Sequence, residues 1–388
     1  VVFPKLSRGF TRKFHKTENK RERTIQGNFL IPVPTGHQIP DQFPRRVSLG
    51  EVLVTTPNLR ILAPVNGIVS LNEEKTHFQI KQDGAWNTNS PYDPKSLTLD
   101  TFINECKMGA LASLDFPNLT LDQYFSSFQP METFEIFIAP YTRNNFLPFS
   151  EILHDEMRPA LREFITLLQQ LFPKATMFNY LENHQSKFKH PQGIPEYFIS
   201  QKTNQNIPSI REALSSRKVM YLGPETIYHI LRMIYFKEPF TRRHLYVCLV
   251  DKKGRIDTES RYYLLTNGQC LDFLVKHLQG RYKVASFQSM FESVTIEDIN
   301  SLGFFNIYEH QVLVLYERKP VKRKAFACID CLECNTYCPT NANPISIVKN
   351  RHSQFNVSNC IECGICTLYC PSGIDLRSMI QVEKEKHK

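Results

Sequence analysis

Cys328-Ile329-Asp330-Cys331-Leu332-Glu333-Cys334-Asn335-Thr336-Tyr337-Cys338-Pro339 is the stretch on which the reading of this chain turns. Its four cysteines follow the spacing C-x2-C-x2-C-x3-C, and the same spacing returns at Cys360, Cys363, Cys366 and Cys370, again followed by proline, Pro371. Three thiolates separated by two residues each wrap a tight loop around one face of an iron–sulfur cubane, with backbone amides turned toward the sulfides. The fourth cysteine, three residues beyond, points away from that loop, and in the two-cluster ferredoxin arrangement it ligates the other cluster. The expected ligand sets are therefore Cys328, Cys331, Cys334 and Cys370 for cluster 1, and Cys360, Cys363, Cys366 and Cys338 for cluster 2, each a [4Fe-4S] centre. Proline after each fourth cysteine fixes φ and has no amide donor, so it ends the ligand loop.

Two other uses of these cysteines stay open at this point. Zinc sites usually pair one C-x2-C with a second, separate pair, which fits a regular triplet with an offset fourth less well. Disulfides need an oxidising compartment, and the N-terminal residues do not suggest one. Cys106, Cys248 and Cys270 stand alone and read as small buried hydrophobes.

Around the two motifs the chain is short and simple. Only 21 residues lie between Cys338 and Cys360. Pro344 to Lys349 alternates apolar and polar residues, and Leu376, Met379 and Ile380 have helical spacing. The expectation is a compact, largely helical module that ends in a charged tail, Glu383 to Lys388.

Upstream, Asn28 to Ile80 alternates short apolar runs with Pro and Gly, which predicts a small β domain. Ala63-Pro64-Val65-Asn66-Gly67-Ile68-Val69 resembles the strand-turn-strand of lipoyl-like barrel-sandwich domains, although no lysine is expected on a tight turn as a swinging-arm attachment point. From Asp100 to Lys202 the pattern changes: helical spacing at Thr101 to Leu111, a strand at Phe134 to Ala139, an amphipathic helix through Ile152 to Phe172, then a polar loop at Glu182 to Gly193. Alternating helices and strands predict an α/β layer. Ile227 to Tyr235 reads as a helix broken by Glu238-Pro239. The strands His244 to Val250 and Tyr262 to Leu265, the helix Leu271 to Leu278 and the strand Val312 to Tyr316 suit a small β-grasp unit. Arg318 to Lys324 then forms a charged linker.

Bulk properties bound what such a chain can be. At 388 residues it is too long for one ordinary core, and 41% hydrophobic with 22% charged residues is normal for a globular protein. No apolar run reaches the roughly 18 residues of a membrane span, and no export signal is read at the N-terminus, so a cytoplasmic address is expected. The formal net charge is +9. Two clusters, each with four thiolates, would lower it to about +5. The basic excess gathers at Arg8 to Arg23 and Arg318 to Lys324, where a solvated surface is the plain reading and anionic lipid or an acidic partner the alternative. Nucleic acid is not expected as a partner, because no binding module accompanies the charge.

Taken in this order, the chain resembles the RnfC family of subunits, part of the Rnf ion-translocating oxidoreductase complex, over nearly its whole length. The residues that carry the resemblance are Ala63 to Val69, the turn Gly223-Pro224-Glu225-Thr226 before a helix, Glu238-Pro239-Phe240-Thr241-Arg242-Arg243, and the paired cysteine motifs. The resemblance implies a multidomain α+β chain. A basic arm would occupy residues 1–25, a barrel-sandwich domain 26–92 and a Rossmann-like flavin and NADH domain 93–215. A helix with a β-grasp domain of the soluble-ligand-binding type would occupy 216–320, and a ferredoxin-type domain with two clusters 321–388. It also implies integral-membrane and peripheral subunits as partners on the cytoplasmic side of the inner membrane. A soluble ferredoxin or flavoprotein is a further candidate partner.

Departures from that family fall in one place. The family's flavin loop has the form G-x-G-G-A-G-F-P-T, because backbone must come close to flavin and phosphate. The matching stretch here is Gly109-Ala110-Leu111-Ala112-Ser113-Leu114-Asp115-Phe116-Pro117-Asn118, in which most glycines are lost and Asp115 brings negative charge toward a phosphate position. The family's acidic N-G-x-E-C-E-P segment corresponds to Ala139-Pro140-Tyr141-Thr142-Arg143-Asn144-Asn145, and its Gly-Gly-Pro-Met element to Phe287-Gln288-Ser289-Met290. The expectation is a Rossmann-like scaffold that binds neither FMN nor NADH, in a chain that relays electrons and has no catalytic residues of its own. The competing readings are an FMN- and NADH-dependent reductase with an altered site, like the cobalamin reductases that share this domain set, and a structural role in which the clusters only staple the C-terminal domain.

Overall fold

The structure is a computed structural model that describes residues 28–34, 43–56, 59–83, 97–115, 120–138, 149–179, 219–253, 257, 259–276, 280–288, 293–296, 299, 302–319, 325–336, 338, 342–348, 360, 365–368 and 370–386. The expected basic arm, the polar loop 182–193, residues 116–118 and 139–145, and Cys363 lie outside these residues.

Period-two patterning builds the first unit. Strands β1 (Asn28–Pro32), β2 (Arg45–Val47), β3 (Val52–Thr55), β4 (Arg60–Leu62), β5 (Gly67–Leu71) and β6 (His77–Gln82) form a four-stranded sheet in the order β1-β6-β5-β2 and a separate β3-β4 pair. Phe29 and Ile31 on β1 face inward with Phe78 and Ile80 of β6 and Val69 of β5, and all five are buried. Where a lipoyl-like barrel-sandwich is expected there are thus two sheets over one small core, with no closed barrel among the described residues. Gly67 is required by close strand approach, since a Cβ there would lie 2.2 Å from the Lys81 carbonyl oxygen. A lysine does sit on a turn here, contrary to expectation: Lys75, between β5 and β6, has φ 55°.

The middle of the chain forms α1 (Leu99–Met108), α2 (Leu121–Ser126), β7 (Phe134–Ile138), α3 (Ser150–Leu171), β8 (Ala175–Asn179), β9 (Val219–Leu222) and α4 (Pro224–Phe236). Strand β7 lies at the centre of a three-stranded sheet, parallel to β8 on one side and β9 on the other. Strand β9 joins this sheet although it falls beyond the 93–215 span expected for the α/β domain. On its far side the Tyr124 hydroxyl accepts from Tyr221 N–H at 2.8 Å and donates to Tyr221 C=O at 3.1 Å, so a side chain satisfies backbone groups that a further strand would otherwise pair.

A mixed sheet follows, built from β10 (Arg242–Val250), β11 (Arg261–Thr266), β12 (Val284–Gln288), β13 (Ser293–Ile296) and β14 (Val312–Tyr316), with the short helix α5 (Asp272–Lys276) after β11. Its order is β11-β10-β14-β12-β13, and β10 and β14 pair in parallel. One hydrophobic core runs from Leu97 to Tyr316, so the parallel sheet and the mixed sheet share a single apolar interior. Arg243, fully buried at the start of β10, clamps the two together: it donates to Glu225 of α4 at 2.7 and 3.0 Å and to the Ile307 carbonyl at 2.8 Å. The first β unit docks on this body by hydrogen bonds, with Leu30 N–H donating to the Gly268 carbonyl at 2.9 Å and the Tyr308 hydroxyl to the Arg60 carbonyl at 2.9 Å.

The C-terminal module contains α6 (Glu333–Thr336), α7 (Ile345–Val348), α8 (Ile365–Leu368) and α9 (Leu376–Lys386). Leu376 and Ile380 of α9 form its core with Cys334, Cys338, Ala342 and Cys366. The expected charged tail continues α9, which runs to Lys386, and its first residue, Glu383, is buried. Pro344 to Lys349, which alternates in sequence, holds the helical turn α7. Among the described residues no helix is long and apolar enough to cross a membrane.

Candidate metal centre

The first ligand loop is wound by two left-handed residues, Asp330 at φ 57° and Leu332 at φ 62°, one in each spacer between cysteines. Aspartate tolerates this conformation, whereas leucine pays roughly 1–2 kcal/mol for it. Helix α6 begins at once, and the amides of Asn335 and Thr336 both donate to the Leu332 carbonyl. Cys328 is thereby half-buried, Cys331 exposed and Cys334 buried.

Cys370 reaches this loop through a short backbone clasp. Phe326 N–H donates to the Ser372 carbonyl at 2.9 Å, and the Ser372 hydroxyl donates to the Ala327 carbonyl at 3.0 Å. Cys328, Cys331, Cys334 and Cys370 consequently line one small pocket open to solvent, completed by Ile329, Leu332, Ile345, Ser372, Ile374 and Leu376. Among the described residues no three His, Cys, Asp or Glu side chains converge as they would on one metal ion. Four thiols on one pocket supply the donor set that a four-iron cluster takes.

The second half of the module repeats the first at an offset of 32 residues. Each fourth cysteine accepts from the amide four residues on: Ala342 N–H to Cys338 Sγ at 3.2 Å and Ile374 N–H to Cys370 Sγ at 3.4 Å. The residue after each third cysteine accepts from a later amide, Asn335 from Ile345 N–H at 3.1 Å and Thr367 from Arg377 N–H at 2.7 Å. Amide-to-sulfur bonds favour the charged thiolate and shape cluster potential. Cys338, Cys360 and Cys366 belong to the same small core, two of them buried and Cys360 half-buried, while Cys363 is outside the described residues. Asn335, Thr367 and Ser372 escape a reading based on cysteine spacing; superposing the two motifs would have paired Asn335 with Thr367, while Ser372 carries no such signal.

The electrostatics ask for a cationic core. Burial first, and then the neighbouring Cys331, Cys370 and Cys328, together push the Cys334 thiol up to about 11. Four thiolates crowded together repel one another, so bound iron, by supplying positive charge, would let all four ionise. The donor set, the cavity and the amide-to-sulfur bonds therefore fit an iron–sulfur cluster. The solitary cysteines differ from this pattern: Cys106 and Cys248 are buried, with burial holding both thiols well up, whereas Cys270 is half-exposed, unlike the buried hydrophobe expected.

The described part of the stretch expected to correspond to a flavin loop, residues 109–115, is folded into the protein interior. Ala110 takes φ 50°, Leu111 and Leu114 are buried, and Gly109 C=O accepts from Phe240 N–H at 2.9 Å. Asp115 is fully buried, and its Oδ2 accepts from Gly223 N–H at 2.9 Å and from the Thr226 hydroxyl at 2.6 Å. Phe287 of β12 stacks on His310 with ring centres 3.9 Å apart; Ser289 and Met290 lie outside the described residues.

Residues 320–371 match the family described as 4Fe-4S dicluster domain, a span that holds both cysteine sets. No curated protein matches the chain. The C-terminal segment is thus an iron–sulfur module of the 4Fe-4S dicluster type, and it supports a role in electron transfer.

Proposed function

We propose that this chain is the electron-transfer subunit of an Rnf-type membrane complex. It relays electrons between donors on the NADH or ferredoxin side and membrane subunits through two [4Fe-4S] clusters, as part of a redox-driven ion translocation. Its partners are then integral-membrane and peripheral subunits on the cytoplasmic side of the inner membrane. The observation that carries the electron-relay reading is the cavity lined by Cys328, Cys331, Cys334 and Cys370, within a segment that matches a dicluster family. Each bound cluster would store and release one electron at a time.

What the chain's own residues do is hold and expose. The clasp at Phe326 and Ser372 keeps Cys370 against the first loop, and Ala342 and Ile374 amides stabilise the fourth thiolates. The first loop lies at the surface: Phe326 is 73% and Ile329 66% exposed, so an external electron partner could approach this centre closely. In the α/β unit, buried Asp115 supports the reading that FMN and NADH are not bound, since a carboxylate repels a phosphate brought to the same amide.

Gentle solubilisation of membranes from the native host, followed by affinity purification of the chain, tests the assignment. Co-purification of multi-spanning redox subunits is the expected outcome. Recovery of the chain alone, with stoichiometric flavin and clusters bleached by NADH, would overturn it in favour of a reductase.

A further inference from the structure

Parallel sheets bind ligands beyond the carboxyl ends of their strands, at the point where the strand order reverses. Here the chain leaves β7 through α3 to β8 on one side, and β9 lies on the other, so the reversal falls between β7 and β9. Helix α4 starts at that point: β9 ends at Leu222, Gly223 is the N-cap with φ −80° and ψ 160°, and Pro224 opens the helix. A helix start in such a place offers free amides and the positive end of a dipole to a phosphate group.

Gly223 has no side chain with which to cap the helix. The capping oxygen comes from 108 residues earlier in the chain, from Asp115, which binds both Gly223 N–H and the Thr226 hydroxyl through one oxygen. Its second oxygen closes the remaining space, for a Cβ on Gly223 would lie 2.3 Å from Asp115 Oδ1. Glu225, the other carboxylate of this first turn, is engaged by Arg243 and does not compete for the amide.

We infer that Asp115 is an internal anion: its carboxylate occupies the place at the head of α4 where this sheet would otherwise receive a phosphate, and the α/β unit is held closed by its own side chain instead of by a ligand. The inference rests on the flavin-free reading above and names the residue responsible for it. It makes Asp115 a positioning residue whose loss should open an anion site.

The test compares the full cluster-loaded chain with Asp115→Ala in thermal unfolding, adding inorganic phosphate or sodium chloride at matched ionic strength. In chloride the variant should unfold about 5 °C lower than the parent. Phosphate should recover at least about half of that loss while moving the parent by under about 1 °C. An equal phosphate response in both proteins, or a variant as stable as the parent, overturns the inference. Thr226→Ala keeps the carboxylate and should be destabilised without gaining a phosphate response; a gained response also overturns it. Should Asp115→Ala not fold in chloride, refolding yield in the two salts replaces the melting curve, and equal yields count against the inference. Flavin content of the parent is measured separately. Retained FMN there defeats the flavin-free reading, whereas a flavin-free parent with an unresponsive variant defeats only the role of Asp115.

Discussion

Cys370 lies 36 residues beyond Cys334 and yet faces the same cavity, which makes the assignment of each fourth cysteine a matter of single side chains. With crossed ligation, Cys370→Ser and Cys328→Ser should damage the same cluster, while Cys338→Ser and Cys366→Ser damage the other. Electron paramagnetic resonance of the reduced variants would show two matching pairs of residual spectra, each variant keeping about four irons. Matching spectra for Cys338→Ser and Cys328→Ser would mean that each motif binds its own cluster. Buried histidines set a second expectation. His244, wedged between the rings of Phe149 and Tyr228, is held down to about 3 by burial, with Arg232, Arg242 and Arg243 adding to the effect. His229 is held well below its usual range by burial and by His244. Both are neutral in the fold, whereas in the unfolded chain they titrate near about 6.5. The unfolded state therefore binds more protons below that pH, and stability present above about 6.5 drains away as pH falls toward the folded values. Denaturant midpoints should hold between about pH 7 and 8 and fall below about 6.5, with His244→Phe shallower by up to about 1.4 kcal/mol per pH unit. An unchanged slope in that variant would contradict the assignment.

Two sequence runs that carry the family resemblance, Gly223 to Thr226 and Glu238 to Arg243, meet in the fold as one clamp between α4 and β10. Glu225 and Arg243 are both buried and paired at 2.7 Å, while Arg232 and Arg242 bind Glu238 at the other end of the helix. Breaking a buried pair strands a charge, so Arg243→Met should cost roughly 3–5 kcal/mol in denaturant unfolding. Arg243→Met with Glu225→Leu should cost less than Arg243→Met alone; a larger, additive loss would show that the pair is not the clamp. Long, strongly periodic elements are legible in the sequence: α3 at Ser150–Leu171 and β14 at Val312–Tyr316 lie within two residues of their expected bounds. The elements that escaped are short or uniformly apolar. Val219–Leu222 is buried at every position, so no alternation marks it as a strand, and its partner β7 lies about eighty residues earlier. The helical turn Ile345–Val348 is set by tertiary context, its first amide being held by the Asn335 side chain. Asp115 could be read as an unwelcome charge, but its amide partner at Gly223 is supplied only by the folded chain.

At the scale of the molecule, the cysteine spacing carried nearly all of the legible function, because metal ligation constrains residue type and interval together. Upstream of residue 320 only patterns of burial were available, and burial patterns do not mark where one domain stops: the core from Leu97 to Tyr316 crosses the expected boundary at 215. The body so formed holds a helix start already filled by Asp115, followed in sequence by a module whose thiols surround an open cavity. Electrons, on this account, have their station in the C-terminal module alone. Iron and acid-labile sulfide, counted in chain reconstituted without oxygen in the presence of FMN, test that most directly. The account predicts about eight irons and eight sulfides per chain with no retained flavin. Zinc in place of iron, or about four irons or fewer, would contradict it.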